Sequence, residues 1–317
     1  MSVLVTGAFG LLGSNMCNEF LKENKKVVAY DLVCRFPKFL KGYENDPNLV
    51  FVKGDLTDCW YLAETIQKYE VTHIVHTAAL CDDPASIKRP NQFLRTNILA
   101  GLNVLEAARH FNVRRAVLVS SRAAYGSYAP QEGPLNEGTL LQPIAFYGAA
   151  KASVDLLMPL YRKHYNLDAV AVRPTGLFGP GQGENGTGQT GPTAPIYNIL
   201  NHVLNGKPFR LDSGSEHYLE FVYIKDLARW IKAILESPNR PKHPIYNLSS
   251  GKQFPLKDLA AMIRELVPEA DIMIGPGTLK GFELRAALDI RRVQEEFGFV
   301  PTPLKESIAE YIQYIKS

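Results

Sequence analysis

Leu4-Val5-Thr6-Gly7-Ala8-Phe9-Gly10-Leu11-Leu12-Gly13 decides how this chain is read. Val3 to Val5 is a short apolar run of the kind that forms a buried strand. Gly7, Gly10 and Gly13 follow at three-residue spacing, and Leu11, Leu12, Met16 and Phe20 then recur at helical spacing. The order is strand, tight glycine turn, helix. Such a turn lets backbone approach a diphosphate, while the helix N-terminus offers free N–H groups and the positive end of its dipole. Gly7, Phe9, Gly10, Leu11 and Gly13 are therefore candidate phosphate-binding positions.

A second strand is expected over Lys26 to Tyr30, ending in Asp31, eighteen residues after Gly13. A carboxylate there can accept from the adenine-ribose hydroxyls and repels a 2′-phosphate, so it favours NAD over NADP. Arg35, in the following loop, is the residue that opposes this choice. Leu49 to Val52 reads as the third strand. It leads to Gly54-Asp55-Leu56-Thr57-Asp58, where Asp55 and Leu56 are candidates for the adenine edge and Thr57 or Asp58 for a helix cap. His73 to His76 reads as the fourth strand, and the small residues Thr77, Ala78 and Ala79 at its end let a cofactor lie against the backbone. A long helix over 91–111 and a fifth strand over Ala116 to Val119 continue the alternation. Regular strand–helix alternation implies parallel pairing with right-handed crossovers, an α/β doubly wound sheet of the Rossmann type.

The fifth strand ends in Ser120-Ser121-Arg122-Ala123-Ala124-Tyr125-Gly126. Ligands of such sheets bind outside the carboxyl ends of the strands, so Ser121 is expected to face the cleft. A helix from about 147 places Tyr147 and Lys151 four residues apart on one face. A free tyrosine has a pKa of about 10, and lowering it by roughly 3 units takes about 4 kcal/mol. A desolvated lysine and a cofactor cation can supply that, making Tyr147 a general base near neutral pH. Ser121 would hydrogen-bond the same substrate oxygen.

With its Thr-Gly-x-x-Gly-x-x-Gly turn, strand-end Asp31, strand-end Ser121 and Tyr147-x-x-x-Lys151, the chain resembles the extended short-chain dehydrogenase/reductases. More closely, it resembles the NAD-dependent epimerase/dehydratase family. Gly54-Asp55-Leu56, Asn97, Arg173-Pro174, Phe178-Gly179-Pro180-Gly181, Phe221-Val222-Tyr223-Ile224 with Asp226, and Tyr246-Asn247-Leu248 extend the likeness over nearly the whole chain. The resemblance implies Ser121, Tyr147 and Lys151 as the catalytic set. It adds Asn97 and Arg173 to the cofactor residues, and it implies a homodimer joined through the helices over 91–111 and 147–164.

The expected organisation is an NAD-binding domain over 1–174, with a returning segment near 219–248, and a smaller, mainly substrate-binding domain over 175–317. Cys81, Ser121, Arg122, Thr175 and His217 are the candidate substrate contacts, and Arg122 could hold a carboxylate. Residues 181–191 hold five glycines and read as a possible lid. Nucleotide-sugar members of the family carry an arginine where this chain has Leu219, and another in the region of Leu279-Lys280-Gly281-Phe282. Both serve a substrate diphosphate, although Arg210, Lys280 and Arg285 could compensate. The expected reaction is oxidation of a secondary alcohol of a sugar-like or polyhydroxylated substrate. The alternative is a nucleotide-sugar 4-epimerase with tightly held NAD.

Composition narrows the partners. In 317 residues the net charge is +3, and the basic residues are scattered, which gives no footprint for nucleic acid. No apolar run reaches membrane-spanning length, and no leader is recognisable at the N-terminus. The four cysteines lack metal-like or redox-like spacing and the seven histidines form no His-x-x-x-His pair. No metal is expected, and a cytoplasmic location is.

Overall fold

The computed structural model describes residues 1–317 except 82, 187 and 189–193. Its strands are β1 (Ser2–Thr6), β2 (Lys26–Asp31), β3 (Leu49–Lys53), β4 (His73–His76), β5 (Arg115–Val119), β6 (Ala169–Pro174), β7 (Leu177–Phe178), β8 (Phe209–Leu211), β9 (Tyr218–Glu220), β10 (Val222–Tyr223), β11 (Ile245–Leu248), β12 (Gln253–Pro255) and β13 (Ile272–Ile274). Its α-helices are α1 (Leu11–Leu21), α2 (Cys59–Lys68), α3 (Asp83–Lys88), α4 (Pro90–Leu94), α5 (Ala100–His110), α6 (Phe146–Tyr165), α7 (Pro195–Val203), α8 (Ile224–Glu236), α9 (Leu256–Leu266), α10 (Arg291–Phe297) and α11 (Leu304–Lys316).

Seven strands form one sheet in the order β11-β6-β5-β4-β1-β2-β3, every pair parallel. The order reverses between β1 and β4, and the crevice above that point is where such sheets bind ligands. Alternate residues of each strand serve opposite faces. Val3, Val5, Val27, Ala29, Val117 and Val170 pack beneath α1 and α8, with Met16, Phe20, Leu227 and Ile231. Leu4, Val28, Ile74, Ala116 and Ala169 face α2, α5 and α6, with Leu62, Val104 and Met158. Both faces are dry, which is why the strands read as unbroken apolar runs. A third core joins α7, α9 and α11 around Ile199, Leu200, Leu259, Ile263 and Ile308, beside the two-stranded pairs β10–β7, β12–β9 and β13–β8.

Arg115 ties β5 to α8. Its guanidinium pairs with Asp168 at 2.8 Å and donates to the carbonyls of Ile234, Ser237 and Asn239. These carbonyls lie at and just beyond the C-terminus of α8, where a helix leaves its acceptors unpaired and welcomes a cation.

The expected helix over 91–111 is three pieces. α4 passes into a π-helical stretch over Arg95–Leu99 and then into α5. Asn97 lies in that wider turn, and it accepts from the Leu80 N–H at 2.9 Å and donates to the Leu80 carbonyl at 3.0 Å. One side chain thus pairs both backbone groups of Leu80 in the loop after β4. Periodicity could not expose this, because a π turn only shifts the apolar stripe.

Candidate active site

The glycine turn between β1 and α1 sits at the carboxyl end of the sheet. Gly7 has φ of +65°, and a Cβ there would lie 2.6 Å from the Ala78 Cα. A Cβ on Gly13 would lie 2.0 Å from the Gly7 carbonyl oxygen. These glycines close the turn against the end of β4. Helix α1 starts after Gly10 with no side-chain cap and no acidic residue in its first turn. Its leading N–H groups therefore meet no cap or acidic side chain from the helix itself, which fits a dinucleotide diphosphate.

Asp31 stands beside the turn. Its Oδ2 accepts from the Phe9 N–H at 2.9 Å and its Oδ1 from the Val33 N–H at 3.3 Å. The carboxylate therefore fixes the turn's shape as well as carrying charge to the place where a ribose would lie. Thr77 donates to the Thr6 carbonyl at 2.7 Å, locking the ends of β1 and β4 together. Ala78 lies under Gly7, and Ala79 accepts weakly from the Cys81 thiol at 3.6 Å.

Ser121 follows β5, and its Oγ accepts from the Ala123 N–H at 3.1 Å, capping a short 3₁₀ turn over Arg122–Ala124. Tyr147 opens α6, one turn before Lys151. The Lys151 Nζ lies 5.8 Å from the centre of the Tyr147 ring and donates to the Val119 carbonyl at 2.7 Å. Burial pushes the Lys151 ammonium below its ordinary pKa, and the carboxylate of Asp155 nearby works against that. A desolvated cation beside a phenol is the arrangement that favours tyrosinate. His76 lies close by, fully buried, with Nδ1 2.8 Å from the Thr6 hydroxyl. Burial and the Lys151 charge drive its imidazole down to about 3, so it is neutral at physiological pH.

Two readings from the sequence need correction, those of Arg173 and Arg210. Arg173, expected to touch cofactor, is 2% exposed, with its Nε 2.7 Å from Asp155 and Nη1 2.8 Å from the Tyr125 hydroxyl. Tyr125 in turn donates to Asn247, and Ser120 donates to Asp155 at 2.8 Å. The guanidinium is spent inside a buried network that braces β5, β6, β11 and α6. Asp55, expected at the adenine edge, is exposed and accepts from the Thr57 N–H and hydroxyl through Oδ1. Its neighbour Leu56 is buried against the α2–α5 face, and Asp58, accepting from the Trp60 and Tyr61 N–H groups, caps α2. Arg210, offered as a substitute phosphate ligand, is exposed and paired with Asp271.

Of the candidate substrate contacts, Arg122 and His217 are buried, Thr175 is half-buried and Cys81 is exposed. The expected lid over 181–191 runs through residues 187 and 189–191, which lie outside the described residues. Two groups, Asp155 and Glu220, escaped the sequence reading. Asp155 anchors Arg173 and Ser120. Glu220 is buried, accepts from the Ser249 hydroxyl and the Leu288 N–H, and is pushed up to about 7 by burial. Arg285 lines a shallow hollow with Ala123, Gly126, Ile144, Ala145 and Gly148, residues that flank Arg122 and Tyr147 in sequence. The apolar cavity of about 510 Å³ between α8, α9 and α11 is lined by none of the catalytic candidates.

A parallel Rossmann-type sheet, an uncapped glycine turn, a strand-end aspartate and a Ser–Tyr–Lys set define an NAD-dependent enzyme of the extended short-chain dehydrogenase/reductase class. The sequence model of the NAD dependent epimerase/dehydratase family matches residues 3–249, and the chain belongs to that family. It is 29% identical to the UDP-glucuronate 4-epimerase of Thermodesulfobacterium geofontis over 257 residues, covering 78% of this chain and 75% of that protein. It is 27% identical to the dTDP-glucose 4,6-dehydratase of Streptomyces antibioticus over 324 residues, covering 100% of this chain and 92% of the other. Among solved structures, the UDP-N-acetylglucosamine 4-epimerase of Methanobrevibacter ruminantium in complex with UDP-N-acetylmuramic acid superposes with a TM-score of 0.86 at 26% identity, covering 99% and 98% of the two chains. DesIV of Streptomyces venezuelae, a dTDP-glucose 4,6-dehydratase solved with NAD bound, gives a TM-score of 0.82 at 26% identity over 100% and 97%. No helix among the described residues is long and apolar enough to cross a membrane.

Proposed function

We propose that this enzyme oxidises a secondary alcohol of a sugar-derived, polyhydroxylated substrate to the ketone. The observation that carries this is that, among the described residues, the two family arginines that clamp a diphosphate are replaced, leaving Arg285 beside Tyr147. Leu219 stands before Glu220, Arg210 is taken by Asp271, and Lys280 is exposed at the surface. A 4-epimerase must hold its oxidised sugar while the ring turns over, and a diphosphate gripped by arginine is a strong tether. Without it the ketone leaves after one oxidation.

NAD, when bound, supplies the acceptor for the two electrons and the hydrogen leaving the carbinol carbon. The chain's own residues do the rest. Tyr147 takes the hydroxyl proton as general base. Lys151 stabilises the resulting negative charge on the ring it adjoins. Ser121 donates to the substrate oxygen and positions it. The glycine turn, Asp31 and the backbone held by Thr77 and Asn97 bind and orient the dinucleotide.

A second reading, nucleotide-sugar 4-epimerisation, draws support from the names of the relatives above. Steady-state assays with NAD and NADP in parallel, across free sugars, sugar acids and nucleotide sugars, separate the two. Continuous NADH formation supports oxidation, and interconversion of nucleotide sugars without added NAD supports epimerisation.

Two further features accompany this reading. Leu156 and Leu160 on α6 are 64% and 49% exposed, which supports a homodimer built through that helix. All four cysteines are free thiols, which supports a reducing, cytoplasmic setting.

A further inference from the structure

Directly after the catalytic Ser121 the chain buries an arginine with half of its guanidinium unused. Arg122 Nη2 donates to the Ala286 carbonyl at 2.8 Å. Its Nη1 is buried with no hydrogen-bond partner among the described residues. The same holds for Nδ1 of His217, a side chain 1% exposed. The charge of Arg285, next to Ala286 in the chain, bears on both groups. One carboxyl lies near, that of Glu220, but its oxygens are occupied by Ser249 and Leu288. No ion pair within 4.0 Å joins it to Arg122 among the described residues.

An uncompensated buried guanidinium is costly, and a second guanidinium beside it makes the cost greater. Burial and the Arg285 charge both pull Arg122 down, to about 10, which still leaves it cationic at neutral pH. Glu220 offsets part of this from beyond ion-pair distance, but no side chain among the described residues pairs with Nη1. Arg285 is half-buried, lines the hollow beside Tyr147, and its guanidinium makes no hydrogen bond or ion pair among the described residues.

We propose that Arg122 and Arg285 form the binding site for a carboxylate carried by the substrate itself, so that the alcohol oxidised at Tyr147 belongs to a sugar acid. This inference rests on the alcohol-oxidation reading above. Two guanidiniums match the two oxygens of one carboxylate. Arg122 follows Ser121 in the chain and Arg285 shares its hollow with Gly148, the residue after Tyr147, so the carboxylate is assigned to the reacting molecule.

Binding tests this without turnover. NAD-loaded protein is titrated calorimetrically with D-gluconate against D-glucitol and D-ribonate against D-ribitol, pairs that differ only in carboxylate versus hydroxymethyl, and with UDP as the phosphate probe. At least one acid is expected to bind tenfold or more tighter than its alditol. That preference disappears in Arg122→Met and falls in Arg285→Gln, while Lys280→Gln, at the exposed surface, retains it. Removing an uncompensated buried charge is also expected to leave the melting temperature of Arg122→Met at or above that of the parent. Equal binding of both acids and their alditols overturns the proposal, as does a preference that survives Arg122→Met. Loss of UDP binding in that variant, with acids and alditols bound alike, shows a phosphate site and overturns it too. Failure of the oxidation reading shows itself separately, as an acid that binds in this charge-dependent way yet yields no NADH.

Discussion

Lys151 donates its ammonium to the Val119 carbonyl at 2.7 Å while lying 5.8 Å from the centre of the Tyr147 ring. The bond pins the cation at the end of β5, where Ser121 begins its turn, and so fixes all three catalytic candidates to one strand end. Tyr147→Phe removes the base and is expected to lower kcat by about 10²–10⁴-fold while leaving NAD affinity unchanged. Lys151→Met removes the cation, so the alkaline shift of the tyrosine is expected to move the rising limb of the kcat–pH profile to higher pH. Both follow from steady-state rates across pH with cofactor binding measured in parallel.

Gly13 lies so close to the Gly7 carbonyl that a methyl group has nowhere to go, with 2.0 Å between them. Gly13→Ala is expected to destabilise the protein by about 1–3 kcal/mol and to abolish NAD binding. Denaturant unfolding and equilibrium dialysis check the two parts. A variant of parental stability and affinity would mean that the turn is not built as described.

Asp31 serves both charge and shape, since it accepts from the Phe9 N–H at 2.9 Å. Asp31→Ala is expected to lower NAD affinity about tenfold or more, an amount consistent with losing a charge-assisted hydrogen bond. It should also raise NADP affinity by removing the repulsion. The ratio of the two dissociation constants is the measurement. Unchanged discrimination would place the choice elsewhere, with Arg35 the first residue to examine.

The buried pair Arg173–Asp155, 2.7 Å apart, gives a contrasting expectation. Arg173→Leu strands the carboxylate and is expected to cost about 3–5 kcal/mol of stability. NAD affinity of the folded fraction should stay within about twofold, because the guanidinium faces protein and not the crevice. A selective loss of NAD binding at parental stability would restore Arg173 to the cofactor site.

Much of the cofactor half could be read from the sequence because its signals are local. Strands buried on both faces are apolar runs, glycine spacing marks the turn, and Asp31, Ser121, Tyr147 and Lys151 sit at positions that strand and helix ends fix. The other side of the crevice depends on contacts distant in the chain. Arg122 meets Ala286 across 164 residues and Asn247 meets Tyr125 across 122. No spacing rule connects them. Arg173 shows the opposite error, in which the Arg-Pro pair at the end of β6 was visible but its partner Asp155, one polar residue in an otherwise regular helix, was not. The π turn around Asn97 was hidden for a third reason, since it alters hydrogen bonding without interrupting the helical pattern.

Two buried histidines make the fold sensitive to acid. Burial drives His76 to about 3 and His73 to about 4, whereas unfolded histidine titrates near 6.5. The unfolded chain therefore binds more protons between these values, and stability falls as pH drops below about 6.5. His76 alone is expected to remove about 3 kcal/mol between pH 7 and pH 4. His76→Asn, which can keep a polar contact to Thr6, is expected to flatten that slope in denaturant melts across pH. An identical slope in the variant would show that His76 does not carry it.

The fate of the reducing equivalents tests the central claim most directly. The enzyme is mixed with excess NAD and a panel of sugar acids, free sugars and nucleotide sugars, and free NADH is counted per enzyme molecule. Oxidation by Tyr147 without a tethered intermediate predicts many equivalents of released NADH per enzyme with at least one sugar-derived alcohol, and none from Tyr147→Phe. Nucleotide-sugar interconversion with no net NADH would contradict it.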